Sequence, residues 1–384
     1  MPDSRLRLPV VFAGGGTGGH LYPAIAIADA LTTGRSDVDP WFLGARRGIE
    51  ARVLPARNLP HTLLPIRGIH RGAGVMANLG VIPAVIRSCF GAVDLFAELK
   101  PRLVVLTGGY ASAPAGLVAV LSGTPLVIQE QNAHPGLVTR LLSRFAKQVH
   151  VAFPEAIDKL PVAARSNASV SGNPIAPPTQ VDAAEALQAF GLNPDLPVVL
   201  IVGGSQGSSS LNAAVLEMIS SADTPPAFQL LWGTGLSHQP AMTEAWEAAG
   251  SPSWVHLLGF IDDMPSALAL ADLAVSRAGA MATSEFLAWG LPAILVPLPT
   301  AAADHQTQNA RALAEAGCAE CILESELTVG RLAGAIRALM TDKDRLTTYR
   351  AAALDRARPA AARDVARAIA KLLPPVRIAP GRAA

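Results

Sequence analysis

A glycine-rich stretch near the start of the chain constrains the fold most strongly. Val10–His20 reads VVFAGGGTGGH, and Leu21–Leu31 continues with apolar residues at helical spacing. This pattern predicts a buried strand, a tight turn and the start of a helix. Glycines let the backbone approach a ligand closely, and the first N–H groups of a helix attract anions. The stretch therefore indicates a parallel α/β sheet with a site for a phosphate-bearing ligand.

The same pattern returns later in the chain. Gly108–Tyr110 begins a second glycine turn, and the PVVLIVGG of Pro197–Gly204 parallels the PVVFAGG of Pro9–Gly15. Similar strand–turn–helix halves predict two Rossmann-like, doubly wound parallel-sheet domains that face each other across a cleft.

The length of 384 residues also favours two domains over one core. Gly172–Pro174 and the pair Pro177-Pro178 mark a boundary. We predict an N-terminal domain over residues 1–173, a second domain over 174–345, C-terminal helices over 346–373 that pack back toward the first domain, and a disordered tail over 374–384.

The charges are unevenly distributed along the chain. Residues 1–173 carry 17 Lys and Arg against 10 Asp and Glu, residues 174–330 carry 2 against 16, and residues 331–384 carry 12 against 4. This asymmetry indicates either a basic face toward an anionic membrane or attraction between the two domains. The longest uncharged stretch, Ala111–Ile128, is broken by prolines and glycines, so it predicts no membrane span. Three cysteines form no disulfide framework, which favours a reducing cytoplasm.

Arg67–Phe96 combines apolar residues at three- and four-residue steps with neighbouring arginines. Such a helix is typical of a segment that lies on a membrane surface, and an ordinary core helix fits the pattern equally well.

Polar side chains follow several predicted strands. Gln129–Asn132 (QEQN) ends one strand, where ligands of open parallel sheets bind. Gln306 follows another strand, and its neutral amide suits the hydroxyls of a sugar. His20 closes the first turn. An imidazole there can accept a proton from an attacking hydroxyl at neutral pH, or it can pair with a phosphate.

The second half contains only two basic residues before residue 331, Arg277 and Arg311. A diphosphate bound there would be held mainly by backbone N–H groups, from the turn Gly203–Gly207 and from the helix start after Gly279. Glu285, one turn into that helix, can cap its own helix or accept two ribose hydroxyls.

Asp262 or Asp263 is predicted to cap the following helix, and Ile261 can line a base pocket. A dinucleotide fingerprint fails, because Phe42–Ala45 ends the second strand without an acidic residue. The sequence shows no zinc, Walker or Ser–His–Asp motif either, so neither a metal nor a cofactor is expected.

The motifs GGGTGGH, GGYASAP, EQNAHPG, GNP, GGSQG, FIDDM, RAGAMATSE and DHQTQNA together resemble those of the MurG family, in the same order over about residues 8–325. That family comprises bacterial transferases that convert lipid I to lipid II in peptidoglycan synthesis. The resemblance implies a GT-B fold, UDP-GlcNAc and lipid I as substrates, a metal-independent inverting reaction, and a peripheral position on the cytoplasmic face of the membrane. Nucleic acid is not an expected partner.

The resemblance also implies roles for individual residues. His20 would be the catalytic base on the acceptor's 4-hydroxyl. The donor would be contacted by Thr17, Gly18, Gly19, Asn132, Ser205, Ile261, Ala280, Met281, Ala282, Thr283, Ser284, Glu285 and Gln306. Gly108, Gly109, Tyr110 and Arg277 are candidate contacts of the diphosphate or the acceptor.

One departure from the family pattern concerns the donor. Where the family carries an arginine after GNP, this chain has Ala176, so Arg277 or another group would have to replace that cation. Three other functions remain as alternatives: a different GT-B glycolipid glycosyltransferase, a UDP-GlcNAc epimerase, and a non-catalytic nucleotide-sugar-binding module.

Overall fold

A computed structural model describes residues 7–68, 80–222 and 224–375. The chain divides into two compact units, one comprising Met1–Ile175 with Ala360–Ala384 and the other comprising Ala176–Pro359. Each unit is built on a sheet in which all strand pairs are parallel.

The first unit contains a seven-stranded sheet of order β3-β2-β1-β4-β5-β6-β7. Its strands are β1 (Leu8–Gly14), β2 (Val38–Ala45), β3 (His61–Leu64), β4 (Leu103–Gly108), β5 (Leu126–Glu130), β6 (Gln148–Val151) and β7 (Ala168–Val170). Its helices are α1 (Gly18–Gly34), α2 (Glu50–Ala56), α3 (Val81–Leu99), α4 (Ala113–Ser122), α5 (Leu137–Leu142), α6 (Val162–Arg165) and, from the end of the chain, α15 (Ala361–Ala370). Strands such as β1 and β4 are apolar on both faces because helices cover both sides of the sheet.

The second unit contains a six-stranded sheet of order β10-β9-β8-β11-β12-β13. Its strands are β8 (Val198–Val202), β9 (Gln229–Gly233), β10 (Val255–Leu258), β11 (Leu273–Ser276), β12 (Ala293–Leu295) and β13 (Ala319–Cys321). Its helices are α7 (Ala183–Phe190), α8 (Ser209–Ser220), α9 (Gln239–Ala248), α10 (Met264–Leu270), α11 (Ala280–Trp289), α12 (His305–Glu315), α13 (Val329–Thr341) and α14 (Lys343–Arg356).

Strand order reverses at one point in each sheet. In the first sheet the reversal lies between β1 and β4, and in the second it lies between β8 and β11. Loops at the carboxyl ends of such strand pairs diverge and leave room for a ligand. The glycine turns singled out in the sequence follow β1, β4 and β8, so all three lie at these reversal points.

The C-terminal helices differ from the prediction. We expected residues 346–373 to pack together toward the first domain, but α14 belongs to the second unit. There Ala353 is buried and Leu354 lies against Gly290, at the end of α11. Only α15 joins the first unit, where Val365, Ala366 and Ile369 pack against α1. Of the predicted tail, residues 376–384 lie outside the described residues.

The described helices include none that is long and apolar enough to cross a membrane.

Candidate functional site

The first glycine turn connects β1 to α1. Gly16 has a φ of +91°, a conformation that favours glycine. Thr17 is extended and forms the N-cap, so Gly18 and Gly19 begin the first turn of α1. Their backbone N–H groups therefore belong to the end of the helix at which anions are stabilised.

His20 lies against the second glycine turn. The hydroxyl Oγ1 of Thr17 is 3.0 Å from the imidazole Nδ1, and Thr107 donates a hydrogen bond of 2.8 Å to the His20 carbonyl. A Cβ on Gly109 would lie 3.2 Å from Nδ1, and one on Gly108 would lie 3.0 Å from Cδ2. Both glycines have positive φ, +91° at Gly108 and +73° at Gly109. The turn after β4 thus forms one wall around the imidazole.

Tyr110 lies beside the same turn. A Cβ on Gly16 would come within 2.7 Å of the Tyr110 ring. Burial raises the pKa of the Tyr110 hydroxyl, and the nearby carboxylate of Glu50 raises it further. The tyrosine is therefore a neutral hydrogen-bonding group near His20 at physiological pH.

The polar residues after β5 form a hydrogen-bonded cluster. The Gln131 amide donates to the Thr107 carbonyl at 2.8 Å, and its Oε1 lies 3.4 Å from the position of a Gly108 Cβ. Gln131 therefore lies close to His20. Asn132 donates to Glu130 Oε1 through its backbone N–H, at 3.1 Å, and through its side-chain amide, at 3.2 Å. Glu130 thus fixes the orientation of Asn132.

In the second unit, the turn Gly203–Gly207 follows β8. Gly204 and Gly207 have φ values of +86° and +76°. Ser205 is exposed at the tip of this turn, whereas Ser208 caps α8 by accepting the Leu211 N–H at 3.3 Å. Ser205 is thus the turn serine that is accessible to a ligand.

Helix α11 begins directly after β11, at the same edge of the sheet. Its N-cap, Gly279, makes no side-chain cap, and the first turn contains no acidic residue. Helix geometry leaves the N–H groups of Met281 and Ala282 outside the i to i−4 ladder. The hydroxyls of Thr283 and Ser284 donate back to backbone carbonyls, at 3.0 Å and 2.8 Å. An anion at this helix start would therefore be bound mainly by backbone N–H groups.

Glu285 lies one turn into α11 and is mostly buried. Burial raises the pKa of its carboxyl from 4.5 to about 7. A carboxylate held there without a countercharge is costly, unless a ligand supplies hydrogen-bond donors.

Two further predicted contacts lie at the same sheet edge. Ile261 is 4% exposed and packs at the end of β9, where a Cβ on Gly233 would lie 3.3 Å from its Cδ1. Gln306 accepts the Leu298 N–H through Oε1 at 3.0 Å, which orients its side chain after β12. Asp263 caps α10 by accepting the Ser266 N–H at 3.2 Å, which confirms one of the two predicted caps.

Arg277 has most of its hydrogen-bonding capacity used inside the second unit. Its guanidinium donates to the carbonyls of Val296 and Pro297, at 3.1 Å and 3.2 Å, and to the Ser210 hydroxyl at 2.8 Å. It also pairs with Glu324. Its predicted role toward a diphosphate stays a prediction, as does the replacement for the arginine missing at position 176.

The structure thus brings together His20, Gly108, Gly109 and Tyr110 in the first unit. In the second unit, Ser205 and Ile261 lie on loops that follow β8 and β10, and Glu285 and Gln306 lie in α11 and α12, the helices that follow β11 and β12. Sequence reasoning missed Thr107 and Glu50, whose contacts with the first turn come from distant segments. Gly44 and Gly48, which precede Glu50, were the only local sign in the sequence that its side chain is closely surrounded by backbone.

Two parallel-sheet units with glycine turns at their reversal points are typical of nucleotide-binding α/β proteins. Comparison with family models narrows this class. Residues 10–151 match the glycosyltransferase family 28 N-terminal domain, and residues 198–366 match the glycosyltransferase family 28 C-terminal domain. The chain belongs to glycosyltransferase family 28, and its two parallel sheets are those of a GT-B fold.

Individual relatives agree with this assignment. A protein of Salinibacter ruber is 39% identical over 364 residues, which cover 94% of this chain and 96% of that protein. It is named a UDP-N-acetylglucosamine–N-acetylmuramyl-(pentapeptide) pyrophosphoryl-undecaprenol N-acetylglucosamine transferase. The crystal structure of Acinetobacter baumannii MurG has a TM-score of 0.75 at 31% identity, covering 95% of this chain and 99% of the other.

A more distant structure shares the fold alone. The UDP-GlcNAc 2-epimerase of Neisseria meningitidis, bound to UDP-GlcNAc, has a TM-score of 0.63 at 15% identity and covers 95% of this chain and all of its own (100%). Membership of family 28 therefore favours a transferase over the epimerase alternative.

Proposed function

We propose that this protein transfers GlcNAc from UDP-GlcNAc to the 4-hydroxyl of the lipid-linked MurNAc-pentapeptide, converting lipid I to lipid II with inversion at the anomeric carbon. Three relatives that are 37–40% identical to this chain are named for this activity. The observation that carries the proposal is the position of His20, between two glycine turns at a strand reversal point and hydrogen-bonded to Thr17.

The second unit is the proposed donor site. Ile261 contacts the uracil, Glu285 accepts the ribose hydroxyls, and Gln306 contacts the GlcNAc. The diphosphate binds to Ser205 and to the helix start at Ala280, Met281, Ala282, Thr283 and Ser284. Since backbone N–H groups are fixed before the reaction, they stabilise the charge that develops on departing UDP without reorganising.

The first unit supplies the base. The base proposed here is the His20 tautomer in which Nδ1 donates to Thr17 Oγ1 and Nε2 carries the lone pair. Nε2 takes the proton of the 4-hydroxyl as that oxygen bonds to the anomeric carbon, and the bond to the UDP oxygen breaks with its electron pair going to the phosphate. Thr17, Gly18, Gly19 and Asn132 contact the donor from this side, and Gly108, Gly109 and Tyr110 contact the diphosphate or acceptor. The mechanism requires both units to act on the same donor molecule.

A surface of the first unit is the proposed membrane contact. Helix α3 exposes Ile82, Ile86, Phe90 and Val93 at four-, four- and three-residue steps. It packs on α4, which packs on α5, and this neighbouring surface exposes Leu117, Leu121, Leu137, Leu141 and Phe145. Arg87, Arg144 and Lys147 are exposed among these residues. Apolar side chains bordered by cations suit the surface of an anionic bilayer, here on its cytoplasmic face.

The predicted membrane contact also included the rest of Arg67–Phe96 and the basic C-terminal segment. His70, Arg71, Val75 and Leu79 lie outside the described residues. The basic C-terminal segment stays part of the proposal, on the strength of its charge alone.

A product assay tests the proposed activity. The purified protein is incubated with UDP-GlcNAc radiolabelled in the sugar and with a lipid I analogue. We expect free UDP and a β-linked disaccharide in equal amounts. Conversion of the UDP-sugar without acceptor would indicate an epimerase, and donor binding with no product would indicate a binding module; either result contradicts the proposal.

Sedimentation with phosphatidylglycerol vesicles tests the membrane contact. Burying two large apolar side chains is worth about 1.5–3 kcal/mol each, so the double variant Ile86→Ser/Phe90→Ser should bind at least about tenfold more weakly. Leu236→Ser, at an exposed leucine of the second unit, is the matched control and should bind normally. Absence of wild-type binding, or equal loss in the control, would contradict this contact.

A further inference from the structure

Glu50 is a carboxylate buried beneath the first glycine turn. It is 0% exposed, although it is the first residue of α2. Both carboxylate oxygens accept the Gly16 N–H at 3.0 Å, and Oε1 also accepts the Ala45 N–H at 2.7 Å. No Lys, Arg or His side chain of the described residues forms a salt bridge with it. Burying a carboxylate with only neutral backbone donors costs free energy. The hydrogen bonds to Gly16 and Ala45 offset part of that cost, so they hold the backbone of the turn in place.

Three glycines make room for this carboxylate. A Cβ on Gly15 would lie 2.2 Å from Glu50 Oε1, and one on Gly48 would lie 2.3 Å from both oxygens. A Cβ on Gly44 would lie 2.4 Å from Cγ of the same side chain. These glycines come from the turn after β1, from the end of β2 and from the loop before α2. Three separate segments thus leave space for one carboxylate.

The turn that Glu50 holds contacts the imidazole of His20 through Thr17, and its Gly15 contacts Gly109, which also borders the imidazole. Gly16 precedes Thr17, whose hydroxyl lies 3.0 Å from Nδ1. A Cβ on Gly109 would lie 2.2 Å from the Gly15 carbonyl oxygen and 3.2 Å from Nδ1. Any movement of Gly15 or Gly16 would therefore displace both the hydroxyl and the glycine wall.

We propose that Glu50 is a positioning residue for His20. By fixing the Gly15–Thr17 backbone, it keeps Nδ1 on the Thr17 hydroxyl, so that Nε2 is the basic nitrogen in the proposed reaction. Glu50 does not touch the reacting atoms. This inference rests on the proposed function, in which His20 is the base.

The test variant is Glu50→Gln, which keeps the shape of the side chain. Its amide group replaces one acceptor oxygen by a donor, which would face the N–H of Gly16 or Ala45. We expect kcat to fall at least about tenfold while KM for UDP-GlcNAc changes less than about threefold, the pattern of a lost transition-state interaction. Because a structural defect alone would not be specific to His20, the imidazole nitrogen resonances of His20 are recorded by NMR. They should shift in the variant.

Asp272→Asn is the matched control. Asp272 accepts the Val198 N–H at 2.9 Å at the amino end of the second sheet, far along the strands from the proposed donor site. This change should lower thermal stability without moving the His20 resonances or kcat. The inference is overturned if Glu50→Gln retains full kcat, or if kcat falls while the His20 resonances stay in place. Failure of the wild-type protein to form the disaccharide would instead contradict the proposed function.

Discussion

Replacing Glu285 by glutamine should raise the stability of the second unit and lower its affinity for the donor. Burial raises the pKa of the Glu285 carboxyl to about 7, against 4.5 in an unfolded chain. The folded protein therefore binds this proton more tightly, and stability falls as the pH rises from about 4.5 to about 7. At 1.36 kcal/mol per pKa unit, the ionised carboxylate costs up to about 3 kcal/mol above pH 7. Glutamine carries no charge and removes this cost.

Calorimetry of the unliganded protein between pH 5 and pH 8 measures the effect. For a unit of this size, 1 kcal/mol corresponds to about 2–4 °C in Tm. At pH 8 we expect Glu285→Gln to unfold about 5 °C or more above the wild type, with a much smaller difference at pH 5. Glu244→Gln, at an exposed position on α9, is the control and should follow the wild type.

Donor affinity should change in the opposite direction. A carboxylate accepts two ribose hydroxyls, whereas an amide offers one acceptor oxygen. UDP-GlcNAc, whose diphosphate does not titrate in this range, should bind the wild type more tightly as the pH rises from 6 to 8, and this dependence should disappear in the variant. If the Tm values of the two proteins run parallel across this pH range, burial does not penalise the carboxylate and the reasoning fails.

Two other predictions concern single residues. Gly109→Ala would place a Cβ 2.2 Å from the Gly15 carbonyl oxygen at a φ of +73°. It should therefore reduce kcat at least about tenfold and lower Tm. Wild-type turnover by this variant would contradict the role given to the turn. Arg277→Met would leave Glu324 and two backbone carbonyls without their donor, so denaturant unfolding should show a loss of about 3 kcal/mol in the second unit. An unchanged midpoint would contradict that account.

The strands were predictable because their sequences are unambiguous. The runs Val198–Val202 (VVLIV) and Leu273–Ser276 (LAVS) are short and almost entirely apolar, and glycine follows each within three residues. The repetition of the glycine pattern then predicted two similar sheets, and the predicted turns lie at the reversal points that the strand orders reveal. Two short edge strands, β7 and β13, were missed, and each has only three residues. Three residues are too few to show the alternation of apolar and polar side chains that identifies a strand.

The contacts around the site were less predictable. Glu50 and Gly16 are 34 positions apart, and nothing in the local pattern of either shows that a buried carboxylate braces the turn. Arg277 was an obvious cation for a diphosphate, but its bonds to Val296 and Pro297 depend on strand pairing. Likewise, α14 stays with the second unit because Leu354 meets Gly290, a contact between distant segments. Such features depend on tertiary packing, which the spacing of apolar residues along the sequence does not predict.

The central claim is that His20 removes the acceptor proton, and single-turnover kinetics tests it most directly. The wild type, His20→Ala and the control His61→Ala, a β3 histidine bonded to the Leu59 carbonyl, are compared with donor saturating and a lipid I analogue as acceptor. General-base catalysis contributes about 10²–10⁴-fold, so His20→Ala should transfer GlcNAc at least about 100-fold more slowly while its Kd for UDP-GlcNAc stays within about threefold. His61→Ala should match the wild type. Transfer by His20→Ala at the wild-type rate would contradict the account.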